Sequence, residues 1–584
     1  MSIRPARSTD SPRRLAGRFA AGCGAWLLGL AAPLSAAVYT VGGAGCTHPD
    51  LLSALVAAAT NPGTDQIRLL SGSSHQGPFF VNTDGLTITG GYASCSAATP
   101  TGSSTLLGDN ANRALFVSTS GAMSLSRLSI TGGTVAGNGG GILVQGSGSL
   151  VLQDVLVFGN HVTGAGGNLY VNGSANVFVQ LSGASLLASG TAQNGGGLAC
   201  SGTALLYFDS AVAVANNSAS ADGGGVHLSS GCSLDSRATS STGGGIVSNH
   251  ANGNGGGVMV ASASLFATHV FAGTGLAEIS GNTAGNNGGG LAVVGSGSRA
   301  VLQYVRLATN HAGNVGGGLL ADNLAMVGIA RADAFGVCAD AVRCQVVSDN
   351  SAAVGGAFFV DSASLNVDGA YLERNSATIS QPVGSVRGGG SGRLTNAVVA
   401  ANDGAEPLLV DDANSSLVLG NVTVVGNLNV GAGVIRLGGG ASGSNRVRVL
   451  SSVFDQAGAL FAPGAPTAVG IQIDCVMSRF SPLFSGLPGQ SVTRATTVAD
   501  PRLASSTAGY LLLADSPAID FCDLAAWTGP LTDVNWDRHD LDDPAHSGGL
   551  GLRDLGADEH THDIHSDDFE LGTLVLWNGV LITG

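Results

Sequence analysis

"ISGNTAGNNGGGLAVV", residues 279–294, carries five glycines in sixteen positions and then four apolar residues in a row. Glycine loses more conformational freedom on folding than any other residue, so this density directly before an apolar run needs a reason. Alone, the stretch reads as a flexible linker or a phosphate loop. It is not alone. The same phrase recurs as "GNHVTGAGGNLYV" (159–171), "ANNSASADGGGVHL" (215–228), "SNHANGNGGGVMV" (248–260), "ATNHAGNVGGGLLA" (308–321) and "SDNSAAVGGAFFV" (348–360). Anchored on the first residue of each small triplet, the copies fall at Gly139, Ala165, Gly195, Gly223, Gly255, Gly288, Gly316 and Gly355, at intervals of 26 to 39 residues. Self-similarity at such a period is the signature of a repeat architecture.

One period, "GGGILVQGSGSLVLQDVLVFGNHVTGA" from Gly139, holds two apolar runs, a Gly/Ser turn between them and an Asn-centred corner. No 3.6-residue pattern of helix length occurs in it. Short β-branched runs parted by Gly, Asn and Ser are how strands and turns are written. The period is too short for a propeller blade of about 40 residues. It suits one coil of a parallel β-helix, in which each strand pairs with its counterpart in the next coil.

The register of the copies agrees. Asn217, Asn249, Asn282 and Asn310 each lie six residues before their triplet, and Asn160 and Asn350 lie five before theirs. Two positions after these asparagines stand Val162, Ala219, Ala251, Ala284, Ala312 and Ala352. Asparagine tolerates the left-handed backbone of a sharp corner, and stacked asparagines hydrogen-bond along an axis as a ladder. The glycines are expected to supply positive φ at the corner and to let the chain turn tightly before the inward strand.

Composition narrows the function classes. The 584 residues include 92 glycines without a G-X-Y period, which excludes collagen, and are 44% hydrophobic, too apolar for a disordered chain. A net charge of −15 argues against nucleic acid or an anionic membrane surface as the main partner. The sequence has no lysine, which removes one common catalytic amine. Residues 1–37 read as an export signal: Arg13, Arg14 and Arg18 precede an apolar stretch, with Ser35 and Ala37 as small residues before Val38. No later segment holds ~20 uninterrupted apolar residues, so no transmembrane helix is expected in the mature chain. Cys23 would leave with the signal, and the other eight cysteines permit disulfides in an exported chain. Cys338 with Cys344, Cys46 with Cys95 and Cys200 with Cys232 are the expected pairs, buried free thiols the alternative. No CxxC spacing supports a zinc site.

The Asn-x-Ala…Gly-Gly-x-hydrophobic repeats, over roughly residues 130 to 400, resemble those of the polymorphic outer-membrane protein repeat family of bacteria. That resemblance implies export, a right-handed parallel β-helix of the pectin-lyase-like superfold, and a role in surface attachment. One departure is the C-terminus: "FELGTLVLWNGVLITG" is not a series of amphipathic ten-residue strands, as a translocator barrel would be. "CTHPDLLSALVAAATNPGTDQIRLLSG", an apolar helix pattern led by Asp50 and followed by a strand, is similar to the segment that opens many exported bacterial β-helices. An amphipathic helix there seals the open end of the core. "SPAID" (516–520) and "RDLGADE" (553–559) resemble the C-terminal boundary motif of the choice-of-anchor Q group of surface proteins. Beyond that motif, "HTHDIHSDDFELGTLVLWNG" resembles the acidic tails of exported proteins of high-GC proteobacteria.

The superfold hosts lyases and hydrolases, so candidate chemistry is sought residue by residue. Glycoside hydrolysis needs two carboxyl groups across the scissile bond. Asp411 with Asp412, and Asp361 with Asp368, are the pairs on offer. "NTD" at Asn82 to Asp84 is similar to one polygalacturonase motif, but its Asp-Asp and Gly-His-Gly companions do not follow. A lyase would want acids and an arginine on one strand face, and Asp361, Asp368, Glu373 and Arg374 fall within one short segment. Ordinary turn and surface use is the favoured reading of these acids. Asp533 to Asp537 begins like a calcium loop but has Arg538 and Pro544 where glycine and glutamate belong. His560, His562 and His565 with Asp563 and Asp567 could hold a transition metal or simply belong to an acidic tail. No Gly triplet is followed by the Lys and helix of a phosphate loop.

These readings combine into one expectation. The chain is all-β, a right-handed parallel β-helix solenoid with a short N-terminal capping helix. Its expected organisation is a signal peptide (1–37), an N-terminal cap with first coils (38–110), the repeat region (111–450), last coils with the boundary motif (451–559) and an acidic anchoring or sorting tail (560–584). The expected function is a non-enzymatic, exported or surface-associated adhesion or binding module, with no catalytic, cofactor or metal residues assigned. Its expected partner is an extracellular polysaccharide or a protein on a host or neighbouring cell surface. The alternative is a polysaccharide lyase or glycoside hydrolase.

Overall fold

The computed structural model describes residues 36–173, 177–269, 275–330, 343, 345–378, 381–412, 414–428, 433–438, 446–456, 458–462, 470–479, 490–523, 533–534, 551 and 553–560. The expected signal up to residue 35, Cys338 with Cys344, and the tail from residue 561 lie outside them.

The described chain winds through about 14 turns of a parallel β-solenoid, with only 3% helix. Its strands lie in three parallel sheets of 28, 14 and 9 strands, here the long, middle and short sheets. The coil that begins at Asn249 shows the plan. His250–Ala251 joins the short sheet, Val258–Ala261 the middle sheet, and Leu265–Thr268 and Ala277–Ser280 two columns of the long sheet. Each pairs with its counterpart one coil on: His250 with Thr283, Val258 with Leu291, Leu265 with Arg299 and Ala277 with Val305. Side chains alternate along each strand. Val258 and Val260 therefore point into the core, whereas Met259 lies on the opposite face, buried in a separate cluster with Ala292, Leu320 and Phe359.

Each glycine of a triplet has its own reason. Gly255 has φ +66°, and a Cβ there would sit 2.5 Å from the Val258 carbonyl oxygen. Gly256 and Gly257 do not have positive φ. Their Cβ atoms would lie 2.4 and 2.6 Å from carbonyl oxygens of Gly289 and Gly290 in the next coil. One glycine makes the turn and two let stacked coils approach. Of the two roles expected of these glycines, positive φ falls to the first residue of the triplet alone. The anchor at Ala165 is also off by one: Gly166 carries the positive φ, 71°, and Gly166–Gly167–Asn168 is the triplet of that coil.

The asparagine ladder exists, and it is buried. The backbone N–H and the Nδ2 of Asn249 both donate to Oδ1 of Asn282 at 3.0 Å, and Nδ2 also donates to the Val214 carbonyl at 2.9 Å. The same pattern links Asn217, Asn249, Asn282, Asn310, Asn350, Asn375, Asn402 and Asn427, and ends on Gln456. The asparagines themselves are not left-handed. The residue before each one is: Asn216, Ser248, Gly281, Thr309 and Asp349 all have φ between 53° and 64°. Asparagine is thus required for its amide, not for its backbone. In one coil Gly190 occupies the ladder position, and Asn168 reaches across to fill the gap. Its Oδ1 accepts from Asn160 and its Nδ2 donates to Asn217, both at 3.0 Å.

The open N-terminal end is covered by helix α1, Leu51–Thr60. The Asp50 side chain accepts the Ser53 N–H at 2.8 Å as an N-cap, and Leu51, Ala54, Leu55 and Ala58 are buried. From residue 391 the two columns of the long sheet fuse. Ser391–Ala400, Ser416–Val425 and Arg446–Asp455 run through both, bending at left-handed Asn396, Asn421 and Ser451. The described parts of 498–560 pack across the outside of these strands, burying Tyr371, Val398, Val425, Val453 and Met477 under Leu512, Ile519, Val534 and Leu555. The two boundary motifs meet there. The Leu555 N–H donates to the Ala518 carbonyl at 3.1 Å, and the Asp520 N–H to Asp554 Oδ1 at 2.7 Å.

Cys46–Cys95 and Cys200–Cys232 are disulfides, with Cα separations of 5.1 and 6.1 Å. A third, Cys475–Cys522 at 6.0 Å, ties the C-terminal segment to the last coils and was not foreseen. No helix among the described residues is long and apolar enough to cross a membrane.

Candidate functional site

The acids proposed as catalytic candidates do not assemble. Asp361 ends the middle-sheet strand Phe358–Asp361 and pairs with Arg387 at 3.2 Å. Asp368 ends the next strand, on the long sheet, and accepts from Thr395 Oγ1 at 3.0 Å and Asn396 Nδ2 at 2.9 Å. Glu373 is buried and held by Arg374 at 2.8 Å and by Arg343. Arg374 also grips Asp349 at 2.9 Å. The hydrogen bonds it donates to Asp349 raise the pKa of Arg374 further, and burial only partly opposes this. A guanidinium held so firmly in its charged form is a poor base. The four residues that share one short segment of sequence are thus spread over three strands, because each strand end turns a corner.

Asp411 and Asp412 form a tight turn rather than a pair across a cleft. The Asp412 N–H donates to Asp411 Oδ1 at 2.9 Å, and Asp412 Oδ2 accepts the Gly388 N–H at 3.1 Å. Asp84 is likewise structural. Its pKa is lowered by hydrogen bonds from the Ser120 hydroxyl and the Gly121 N–H, with which it closes the turn before Ala122–Ser126. Of the calcium-like loop only Asp533 and Val534 are described, and of the histidine-rich tail only His560.

What the fold does assemble is the outward face of the short sheet. Each strand there has two residues. In all but the first and last strands one is buried, as in Val162, Ala192, Ala219 and Ala251, and the other faces out. The outward residues stack in register as Thr134, His161, Thr191, Ser218, His250, Thr283, His311 and Ser351. None is an acid or an arginine. The imidazoles stand proud of the shorter hydroxyls and are tied to neighbours: His161 Nδ1 contacts Thr191 Oγ1, His250 Nε2 lies 3.0 Å from Asn252 Oδ1, and His311 Nδ1 lies 2.9 Å from Ser351 Oγ.

Between His161 and the His250–Asn252 pair only Thr191 and Ser218 project, so the face is hollowed there. The result is a trough of about 380 Å³, floored by Val162 and Ala192 and lined by Thr163, Gln193, Ser220 and Asn252. At ~4.8 Å per coil it spans about 14 Å. It offers hydroxyls, amides and one imidazole, groups that both donate and accept hydrogen bonds. It contains no carboxylate with which to activate water. Sequence reading had recognised the flanking asparagines but assigned no site here. The visible signal was the residue after each ladder position, which is His, Thr or Ser throughout this stretch.

No protein-family profile matches the chain, and no curated protein is similar to it.

Proposed function

We propose that the protein is an exported, surface-associated β-helix that works as a non-enzymatic binding or adhesion module. Its ligand is a neutral, hydroxyl-rich chain seated in the trough between His161 and Asn252. The observation that carries this reading is a hydrogen-bonding hollow three coils long, lined by no carboxylate or guanidinium, in a chain whose net charge is −15. Such a hollow discriminates by hydrogen-bond geometry rather than by long-range attraction, which suits a neutral polysaccharide over a charged partner. The dispersal of Asp361, Asp368, Glu373 and Arg374 supports binding without cleavage.

The test is to fill the trough. Ser218→Arg places a long charged side chain across its floor without touching the buried neighbour Ala219. Retention on a polysaccharide or on whole cells is expected to fall at least tenfold, with an unchanged melting temperature. Retention equal to that of the wild type would remove the trough from the account.

A further inference from the structure

A second face carries a different chemistry. The middle sheet also has outward side chains, and in its first coils these include three aromatic rings. Phe80, Phe116, Leu143 and Tyr170 lie on four consecutive strands in direct register. Phe80 is 65% exposed, the highest value of any large apolar side chain among the described residues, and Phe116 and Tyr170 are partly exposed. The Phe80 and Phe116 rings are 5.9 Å apart and inclined at 55°. Aromatic residues make up only 5% of the chain, so this column is locally enriched. Leu143, between Phe116 and Tyr170, is buried, so the side chains that reach solvent are the three rings, and exposed rings grouped on one face mark a contact surface.

A polar column runs beside it. Two positions further along the same strands, Ser118 lies next to Gln145, and Asn172 next to Ser201. The face therefore pairs rings with amides and hydroxyls, and neither column contains an acid in these coils. Further along the sheet the character changes, with Asp322, Asp361 and Arg387 in the corresponding outward positions. Arg113 completes the N-terminal face. Its guanidinium lies 5.7 Å from the centroid of the Phe116 ring, and no carboxylate pairs with it among the described residues. Its five donors are thus held over the Phe116 ring, beside the exposed Phe80.

We infer that this face of the first coils is a stacking site for a neutral, β-1,4-glucan-type polysaccharide running along the coil axis. Equatorially linked pyranose rings expose a flat array of C–H bonds, which packs on aromatic faces, while their equatorial hydroxyls reach sideways to amides and guanidinium. One coil advances ~4.8 Å, about the length of one such sugar unit, so successive units meet successive strands. An α-linked glucan curves and cannot follow a straight column. This site lies on a different sheet from the trough and stands independently of it.

The experiment is calorimetric titration of the full chain with cellohexaose, with maltohexaose as the curved control. The wild type is expected to bind cellohexaose at least tenfold tighter than maltohexaose. Phe80→Ala and Tyr170→Ala are each expected to weaken it at least fivefold, with unchanged melting temperatures, and Phe80→Tyr to retain it. Leu324→Ala, which removes a comparably exposed apolar side chain outside both sites, is expected to leave this binding intact. The inference is overturned if cellohexaose does not bind, if maltohexaose binds equally well, or if Phe80→Ala leaves the affinity unchanged. Loss of cellohexaose binding in Ser218→Arg alone would transfer it to the trough.

Discussion

Asn282 makes every hydrogen bond its side chain can make. Its Oδ1 accepts twice from Asn249, and its Nδ2 donates to Asn310 Oδ1 at 3.0 Å and to the Ile246 carbonyl at 2.9 Å. It is fully buried, so no water replaces a lost partner. Asn282→Leu leaves groups unpaired in both adjoining coils and is expected to destabilise by roughly 1–3 kcal/mol for each group stranded. Asn286→Ala, an exposed asparagine four residues on, is expected to change the melting temperature little. Equal melting curves for the two variants would contradict a buried ladder. The ladder positions from Asn217 to Asn350 were legible because a glycine-rich triplet follows each after five or six residues. Asn375, Asn402, Asn427 and Gln456 were not, because their coils lack the triplet. In those coils the turn before the middle sheet is made by other residues, such as Gln381–Pro382 or Glu406–Pro407. Their remaining signal is a β-branched pair shortly before an amide, as in "VVAAN" and "VVGN". That the residue before the asparagine is left-handed, and not the asparagine itself, follows from backbone geometry that no spacing encodes.

At the scale of elements, the two ends differ in how they were read. Helix α1 was legible in full, because an N-cap aspartate followed by apolar residues at helical spacing is a local pattern. The C-terminal clasp was legible only as two motifs. Their meeting depends on contacts between residues more than 30 positions apart, and on packing against strands more than 100 positions earlier. The clasp is rich in buried acids: Asp520, Asp533, Asp554, Asp558 and Glu559 are all buried, as is Arg553. Burial pushes Asp554 up to about 7 and Glu559 up to about 11, with repulsion from neighbouring acids adding to both. A carboxyl group raised in the folded state contributes stability fully below its unfolded value, near 4, and loses it as pH rises through the folded value. Protection of the Leu512 and Leu555 amides from hydrogen exchange is therefore expected to be greatest in acid and to fall between pH 5 and 8. Protection that is flat or rises over that window would contradict this assignment.

At the scale of the whole molecule, the repeat announced the coil, and the coil determined which faces exist. Hydrophobic alternation separates inward from outward residues on each strand, so the parallel β-helix could be read from one period and its register. The candidate site could not. The acids of the segment from Asp361 to Arg374 are close in sequence, but successive strands turn corners and carry them apart. His161, Thr191, Ser218 and Asn252 are scattered over 92 positions and are brought into one trough by stacking at one coil per strand. Proximity on a solenoid runs along the axis, at intervals of a whole period, and not along the chain. That geometry gives long, repetitive faces on which a site is assembled from residues a whole period apart.

The most direct measurement of the central claim is a polysaccharide panel in which each tube is read twice, for bound protein and for new chain ends, with and without calcium. The account predicts saturable binding to neutral glycans, no new ends on any substrate, and no effect of calcium on either reading. New chain ends that grow with time on any one polysaccharide would contradict it and make this protein an enzyme.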